Sequence, residues 1–368
     1  MSSATLDGTL TYASRFSHYK NFYIKHENTI FSKLGIGTFS PEPYKEENYL
    51  FSFEESLISA IQNGINHIDT ASNYRYGESE KEIGIVLKKL SSEVARESLI
   101  IASKGGFIPL EFPFPANPYH WIGENMLDSN LACTDDIELD QHCMTPAFLE
   151  WSCRRSLKNI GIDKLDIYYL HNPEMHLMRL GEDEFYTQIY NIFVKFESLA
   201  SEGLFETYGI ATWNGFIAEN EERISLERIV DIAKRAGGEK HRFRYIQTPF
   251  NLGKTNIYTL NTQTVNGEEC TLLQAAHRLK IGVITSSSLL QMHLFKKSFS
   301  AETGVVLDEN MILESDIQLA LQFVRSTPGI VSSLFRTRWS DHVEHNCKIA
   351  NMNPTKKNRY DLLYRLQK

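Results

Sequence analysis

Ile65-Asn66-His67-Ile68-Asp69-Thr70-Ala71 is a short apolar run that closes on polar residues, and a helical pattern follows it over Glu80–Leu90. A near-continuous apolar strand followed by an amphipathic helix is the unit of a parallel sheet covered by helices. The same unit lies just upstream. Leu34-Gly35-Ile36-Gly37-Thr38-Phe39 reads as a strand, and Glu54–Gln62 reads as a helix with Leu57, Ile58 and Ile61 on one face. Downstream, the pattern predicts strands at Ser98–Ser103, Leu165–Leu170, Tyr208–Thr212, Phe243–Gln247, Ile281–Ile284 and Gly329–Phe335. The intervening helices fall at Thr145–Asn159, through Ile192, Phe196 and Leu199, and at Ser225–Ala236, Thr271–Leu279, Asp316–Arg325 and Asp341–Ala350. Eight βα units over 368 residues fit a closed (β/α)8 TIM barrel better than an open doubly wound sheet. No GxGxxG follows the first strand, which weighs against a Rossmann domain. No Pro- or Ser-rich linker interrupts the alternation, so 1–368 reads as one barrel domain, with 1–31 as an N-terminal extension.

Composition narrows the function classes. The net charge is −8, and the basic residues form only short clusters such as Lys88-Lys89 and Lys356-Lys357. Nucleic-acid binding needs a dense cationic stripe to neutralise phosphates, so no nucleic-acid partner is expected. An acidic chain can still hold one phosphorylated cofactor in a local basic pocket. Cys133, Cys143, Cys153, Cys270 and Cys347 form no CxxC pair, and His142-Cys143 lacks clustered zinc spacing. Reduced thiols, no metal and a cytoplasmic location are expected. No apolar run approaches a membrane span, and the first residues lack the basic-then-apolar pattern of a signal peptide.

Chemistry should gather where polar residues end the strands. Asp69 and Tyr74 follow the second strand, Lys104 closes the third, and His171 closes the fourth. In a barrel all four reach the C-terminal face, where active sites lie. A buried charge is costly unless paired, a condition that Asp69 and Lys104 would meet for each other. Long connections at Gly105–Met144, Asn251–Cys270 and Leu289–Leu313 also follow strands and would overhang the same face. The first of them holds Phe107, Phe112, Phe114, Tyr119, His120 and Trp121, aromatics that could line an apolar pocket or equally pack the loop onto the barrel. Phe39, Phe107 and Trp213 are the expected pocket walls.

From Leu34 to about Ala350 the chain resembles the aldo-keto reductases, and in places their bacterial branch. Asp69, then Tyr74, then Gly77-Glu78-Ser79-Glu80 is similar to the family signature, and Lys104 and His171 match its other two catalytic positions. The resemblance implies an NADP(H)-dependent oxidoreductase acting on an aldehyde or ketone, or on the corresponding alcohol. Tyr74 would be the proton donor, with its pKa lowered by the neighbouring Lys104 ammonium. Asp69 would hold Lys104, and His171 would fix the carbonyl oxygen. For the cofactor, the match assigns Arg338 to the 2′-phosphate; Arg336 stands where the family usually has glycine and could add a second phosphate contact or crowd the loop. It assigns Asn346 to adenine, Gln247 to the carboxamide and Thr38 to the first loop. Thr212 lies in Ala211-Thr212-Trp213-Asn214, which replaces the family's Ser-Asn pair. Ser286 stands where many members place a stacking tyrosine, and Ser286–Gln291, with Leu289, resembles the bacterial branch. Two other readings remain open. One is an NADP-binding barrel that serves as a regulatory or redox-sensing subunit with little turnover. The other is an enzyme that oxidises a sugar hydroxyl or lactol.

Overall fold

A computed structural model describes residues 3–40, 51–218, 222–296, 299–310 and 312–366. Eight parallel strands close into a barrel in sequence order. They are β1 (Leu34–Gly37), β2 (His67–Asp69), β3 (Ile100–Gly105), β4 (Leu165–His171), β5 (Phe205–Ala211), β6 (Phe243–Pro249), β7 (Gly282–Ser286) and β8 (Ile330–Phe335). The helices between them are α1 (Glu54–Gln62), α2 (Glu78–Lys89), α3 (Pro146–Ile160), α4 (Glu182–Glu202), α5 (Leu226–Gly237), α6 (Leu272–Arg278) and α7 (Asp316–Ser326), and α8 (Ser340–Cys347) follows the last strand. The (β/α)8 expectation is met. No helix among the described residues is long and apolar enough to cross a membrane.

Local chemistry sets the helix ends. In α3, Thr145 caps the start by accepting from Phe148 N, and Pro146 occupies the first turn. Gly161, at φ 74°, ends the helix in the left-handed region. Strand β5 begins at Phe205 rather than Tyr208. Exposed Glu206 broke the apolar run at the barrel's edge and hid the first turn of the strand. Helix α8 stops at Cys347, and a 3-10 turn covers Lys348–Asn351.

Two-residue alternation along the strands decides what faces the barrel axis. The inner cluster contains Ile100 and Ala102 of β3, Ile167 and Tyr169 of β4, Ala211, Tyr245, Ile284 and Val331. Continuing each lane by two residues reaches Lys104, His171, Gln247 and Ser286 at the C-terminal rim. The same periodicity that packs the core therefore delivers polar groups to the mouth. The opposite end is plugged by the N-terminal segment, a helix at Leu6–Ser14 and a hairpin of Tyr23–His26 with Thr29–Ser32. Phe31 of that hairpin and Ala4 join the inner cluster. Asp166, low on β4, accepts from Ala4 N at 2.5 Å, Ile101 N at 2.7 Å and Arg96 Nη2 at 2.7 Å, and so ties the plug to the barrel.

Candidate active site

Lys104 Nζ lies 2.5 Å from Asp69 Oδ1 and donates to Thr70 O at 2.8 Å. Both side chains of the pair are almost completely buried. Gln247, arriving across the barrel on β6, donates from Nε2 to Asp69 Oδ2 at 2.8 Å. An ionised carboxylate only accepts, so the amide nitrogen of Gln247 must face Asp69. Lys104 Nζ also sits 5.0 Å from the centre of the Tyr74 ring, and the Tyr74 and His171 rings meet edge-on with centroids 6.1 Å apart. Four residues placed at three strand ends by their order in the chain thus converge on one point.

The signature's remaining residues explain why Tyr74 is there. Gly77 takes φ 87°, and Arg75 and Tyr76 stand at φ 49° and 55°, so the turn after Tyr74 is strongly bent. Left-handed non-glycine residues cost roughly 1–2 kcal/mol each and persist only where the surroundings hold them. Here Arg75 is clamped by Glu82 at 2.7 Å and by Phe51 O at 2.6 Å. Ser79 Oγ donates to Thr38 O at 3.0 Å, and buried Glu80 accepts from Ser103 at 2.7 Å and from Asn159 at 2.9 Å. The Gly-x-Ser-Glu run is therefore a bracket that fixes the Tyr74 turn against β1, β3 and α3.

Electrostatics correct one expectation. Burial pushes the Tyr74 phenol above its ordinary value, and the Lys104 ammonium offsets only part of that rise. The sequence shows the cation beside the phenol but not the low-dielectric wall around both. Tyr74 itself stays half-buried. The ammonium form of Lys104 is favoured because Asp69 and Tyr74 outweigh its own desolvation. Burial and the nearby Lys104 charge hold the His171 imidazole neutral, well below its ordinary value. His171 Nδ1 is buried without a protein partner.

Of the expected pocket walls, Phe39 packs edge-on to Tyr74 at 5.2 Å and Phe107 packs edge-on to His171 at 4.9 Å. Trp213 stands apart from these rings on the loop after β5, partly exposed, with Lys254 Nζ 5.4 Å over its face. Thr38 is fully buried, with its hydroxyl bonded to Thr70 Oγ1 at 2.9 Å, so its side chain is enclosed in the scaffold. Thr212 Oγ1 donates to Glu174 Oε1 at 2.6 Å, and the same oxygen accepts from Trp213 N at 2.8 Å. Glu174 was missed by sequence reasoning; it lies three residues beyond His171 and organises the neighbouring loop. Ser286, the last residue of β7, and Leu289 just beyond it are half-buried, beside Ser287 Oγ and Ser288 Oγ, which are buried without protein partners. Arg336 is half-buried after β8, while Arg338 is exposed with its guanidinium against the Phe51 and Trp339 rings. Asn346 is buried in α8. Orphaned hydroxyls after β7 and arginines before α8 are a donor set that fits a phosphorylated dinucleotide. Among the described residues no cluster of His, Cys, Asp and Glu could hold a metal ion.

Comparison with known proteins agrees with this geometry. A solved aldo-keto reductase from Klebsiella pneumoniae in complex with NADPH superposes with a TM-score of 0.61, over 95% of this chain and 94% of that one, at 18% identity. A holo-form aldo-keto reductase from Bacillus halodurans gives 0.60 at 17% identity, covering 95% and 96% of the two chains. Among curated proteins, similarity reaches an NADH-specific methylglyoxal reductase of Escherichia coli (strain K12), 28% identical over 157 residues, which is 43% of this chain and 40% of that protein. It also reaches a D-threo-aldose 1-dehydrogenase of Pseudomonas sp, 25% identical over 193 residues, 52% of this chain and 51% of that protein. The matches thus span about half or less of those relatives. The model of the aldo/keto reductase family itself matches residues 33–300. With the barrel, the strand-end constellation and this match in agreement, the chain belongs to the aldo/keto reductase family.

Proposed function

We propose that the protein is an NADP(H)-dependent reductase of aldehydes or ketones, with Tyr74 as the proton donor. The observation that carries this reading is the buried Lys104 ammonium, held by Asp69 and directed at a half-buried phenol beside a neutral imidazole. When bound, a reduced nicotinamide supplies the hydride. Tyr74 gives its phenolic proton to the carbonyl oxygen, and the Lys104 ammonium stabilises the phenolate that remains. Neutral His171 donates a hydrogen bond to the same oxygen as negative charge develops there. Asp69 keeps Lys104 charged. Gln247, with its nitrogen committed to Asp69, would offer its carbonyl as an acceptor to the cofactor's carboxamide. Phe39 and Phe107 flank the reacting centre with apolar edges.

The preference for NADP(H) rests on Arg338, with Arg336 beside it, because an arginine fork suits the 2′-phosphate. One relative is named as NADH-specific, so the choice has to be measured. A phenol raised above its ordinary value stays protonated at neutral pH, which keeps the acid needed for reduction fully populated. Carbonyl reduction should therefore stay flat from about pH 6 to 9, while alcohol oxidation, which needs the phenolate, should climb with pH. Consumption of NADPH and NADH with a panel of aldehydes and ketones, in both directions, tests the proposal. Tight NADPH binding with no turnover of any carbonyl would favour the regulatory barrel instead.

A further inference from the structure

The long connection between β3 and α3 folds back on its own beginning. Its hairpin, Ile137–Glu138 with His142–Cys143, pairs His142 against Phe107, and Cys143 N donates to Gly106 O at 2.8 Å. This brings His142, fully buried, against the end of β4. His142 Nε2 lies 2.6 Å from the backbone oxygen of His171, and His142 Nδ1 lies 2.9 Å from Nε2 of buried His176. His176 Nδ1 is 3.3 Å from Arg179 Nη2, and Arg179 is paired at 2.7 Å with Glu138 of the same hairpin.

The proton on each ring follows by elimination. A carbonyl oxygen only accepts, so His142 Nε2 carries the hydrogen. In a neutral imidazole the other nitrogen is then an acceptor, so His176 Nε2 must donate to His142 Nδ1. That leaves His176 Nδ1 to accept from Arg179, which can only donate. Every donor in the chain points one way, toward the His171 carbonyl. The space for this contact is made by Gly106. A Cβ there would come within 2.6 Å of both His142 Nε2 and the His171 oxygen. Phe107 packs edge-on to the His171 and His142 rings at 4.9 and 5.1 Å, so the relay and the imidazole it serves share one wall. Just past His171 the chain turns sharply, with Asn172 at φ 45°.

We propose that His142 and His176 form a directed hydrogen-bond relay that positions His171, and that delivering this relay is what the connection 106–144 does. These are positioning residues, because they touch the His171 backbone and not the reacting atoms. The assigned role rests on reading His171 as the group that meets the carbonyl oxygen.

Two measurements on the full-length protein decide it. Long-range proton–nitrogen spectra of ¹⁵N-histidine-labelled protein should show His142 and His176 both as the Nε2–H tautomer; an Nδ1–H tautomer on His142 overturns the relay with no variant required. In steady-state kinetics, His142→Leu should lower kcat/KM for the carbonyl by about 10- to 100-fold, the scale of an ångström-level misplacement, with the dissociation constant for the cofactor unchanged. His142→Gln, whose amide N–H reaches the same place, should recover most of the loss. Wild-type kcat and KM in folded His142→Leu, or equal losses in the Leu and Gln variants, would reduce His142 to core packing and defeat the proposal. If the wild-type protein turns over no carbonyl at all, the proposed function fails, and the tautomers still decide whether the relay exists.

Discussion

The ion pairs Arg96–Asp166 and Lys104–Asp69 sit at opposite ends of one barrel and are completed in opposite ways. At the bottom, Asp166 accepts from two backbone amides besides Arg96, and Arg96 also donates to Leu99 O and Lys164 O. The pair is spent on main chain and ties segments together. At the mouth, the partners of Lys104 and Asp69 include Thr70 O and the side chain of Gln247, and the remaining face of the ammonium looks at a phenol. Similar burial thus serves stability where main chain surrounds the pair, and chemistry where a titratable phenol faces the ammonium. Barrels in general separate the two tasks in this way, with activity at the C-terminal face and stability at the other.

The largest test of that contrast is Tyr74→Phe. It should cost about 10⁴-fold in kcat, roughly 5.5 kcal/mol, while cofactor affinity and the melting temperature stay near wild type. A near-normal rate would remove Tyr74 from the chemistry. Next comes Asp166→Ala, which leaves Arg96 buried without its carboxylate; a loss of about 3–5 kcal/mol in unfolding free energy is expected, with kcat unchanged well below the melting point. A drop in kcat of the folded variant would show that the two ends are not independent.

Acid should act on the barrel through its buried, neutral histidines, at both ends. Burial lowers His67 and His176 to about 4 and His142 to about 3. The unfolded chain takes up protons near pH 6.5 that the folded chain refuses, so the stability from these neutral rings is present above pH 6.5 and drains as pH falls toward 4 and 3. The slope approaches about 1.4 kcal/mol per pH unit for each ring. Hydrogen exchange at pH 7 and pH 5 should show protection lost around His142 and His176, in the 106–144 connection and the turn after β4, and around His67, where β2 meets Phe31 of the plug. Uniform loss across the barrel would contradict it. The smallest effect is expected for exposed Arg338: Arg338→Ala should weaken NADPH by about tenfold and leave NADH unchanged, measured by fluorescence titration.

Strand ends were legible because they need only local information. An apolar run that stops at Asp69, Lys104 or His171 announces a rim residue, and the two-residue period says which way it points. Helix α1 falls on its predicted bounds, since its apolar face and its limits are both written in consecutive residues. Asn266-Gly267, both at positive φ, turn the hairpin inside the Asn251–Cys270 connection; that signal was in the sequence and the loop reading passed over it. The meeting of His142 with His176 was not legible. It depends on the long 106–144 excursion returning to β4, and no spacing encodes that return. The sign of the Tyr74 shift was hidden for the same reason, because burial is a property of the assembled barrel.

Asp69 has two oxygens and two clients, an ammonium on β3 and an amide on β6. One carboxylate therefore sets both the charge behind the acid and the polarity of the group proposed to grip the nicotinamide. Neutralising it would free Gln247 to rotate as well as unpair Lys104. Loss of activity in an Asp69 variant would then be a compound result, in which proton supply and cofactor alignment fail together, and a change at Gln247 could be felt at Tyr74 from across the barrel.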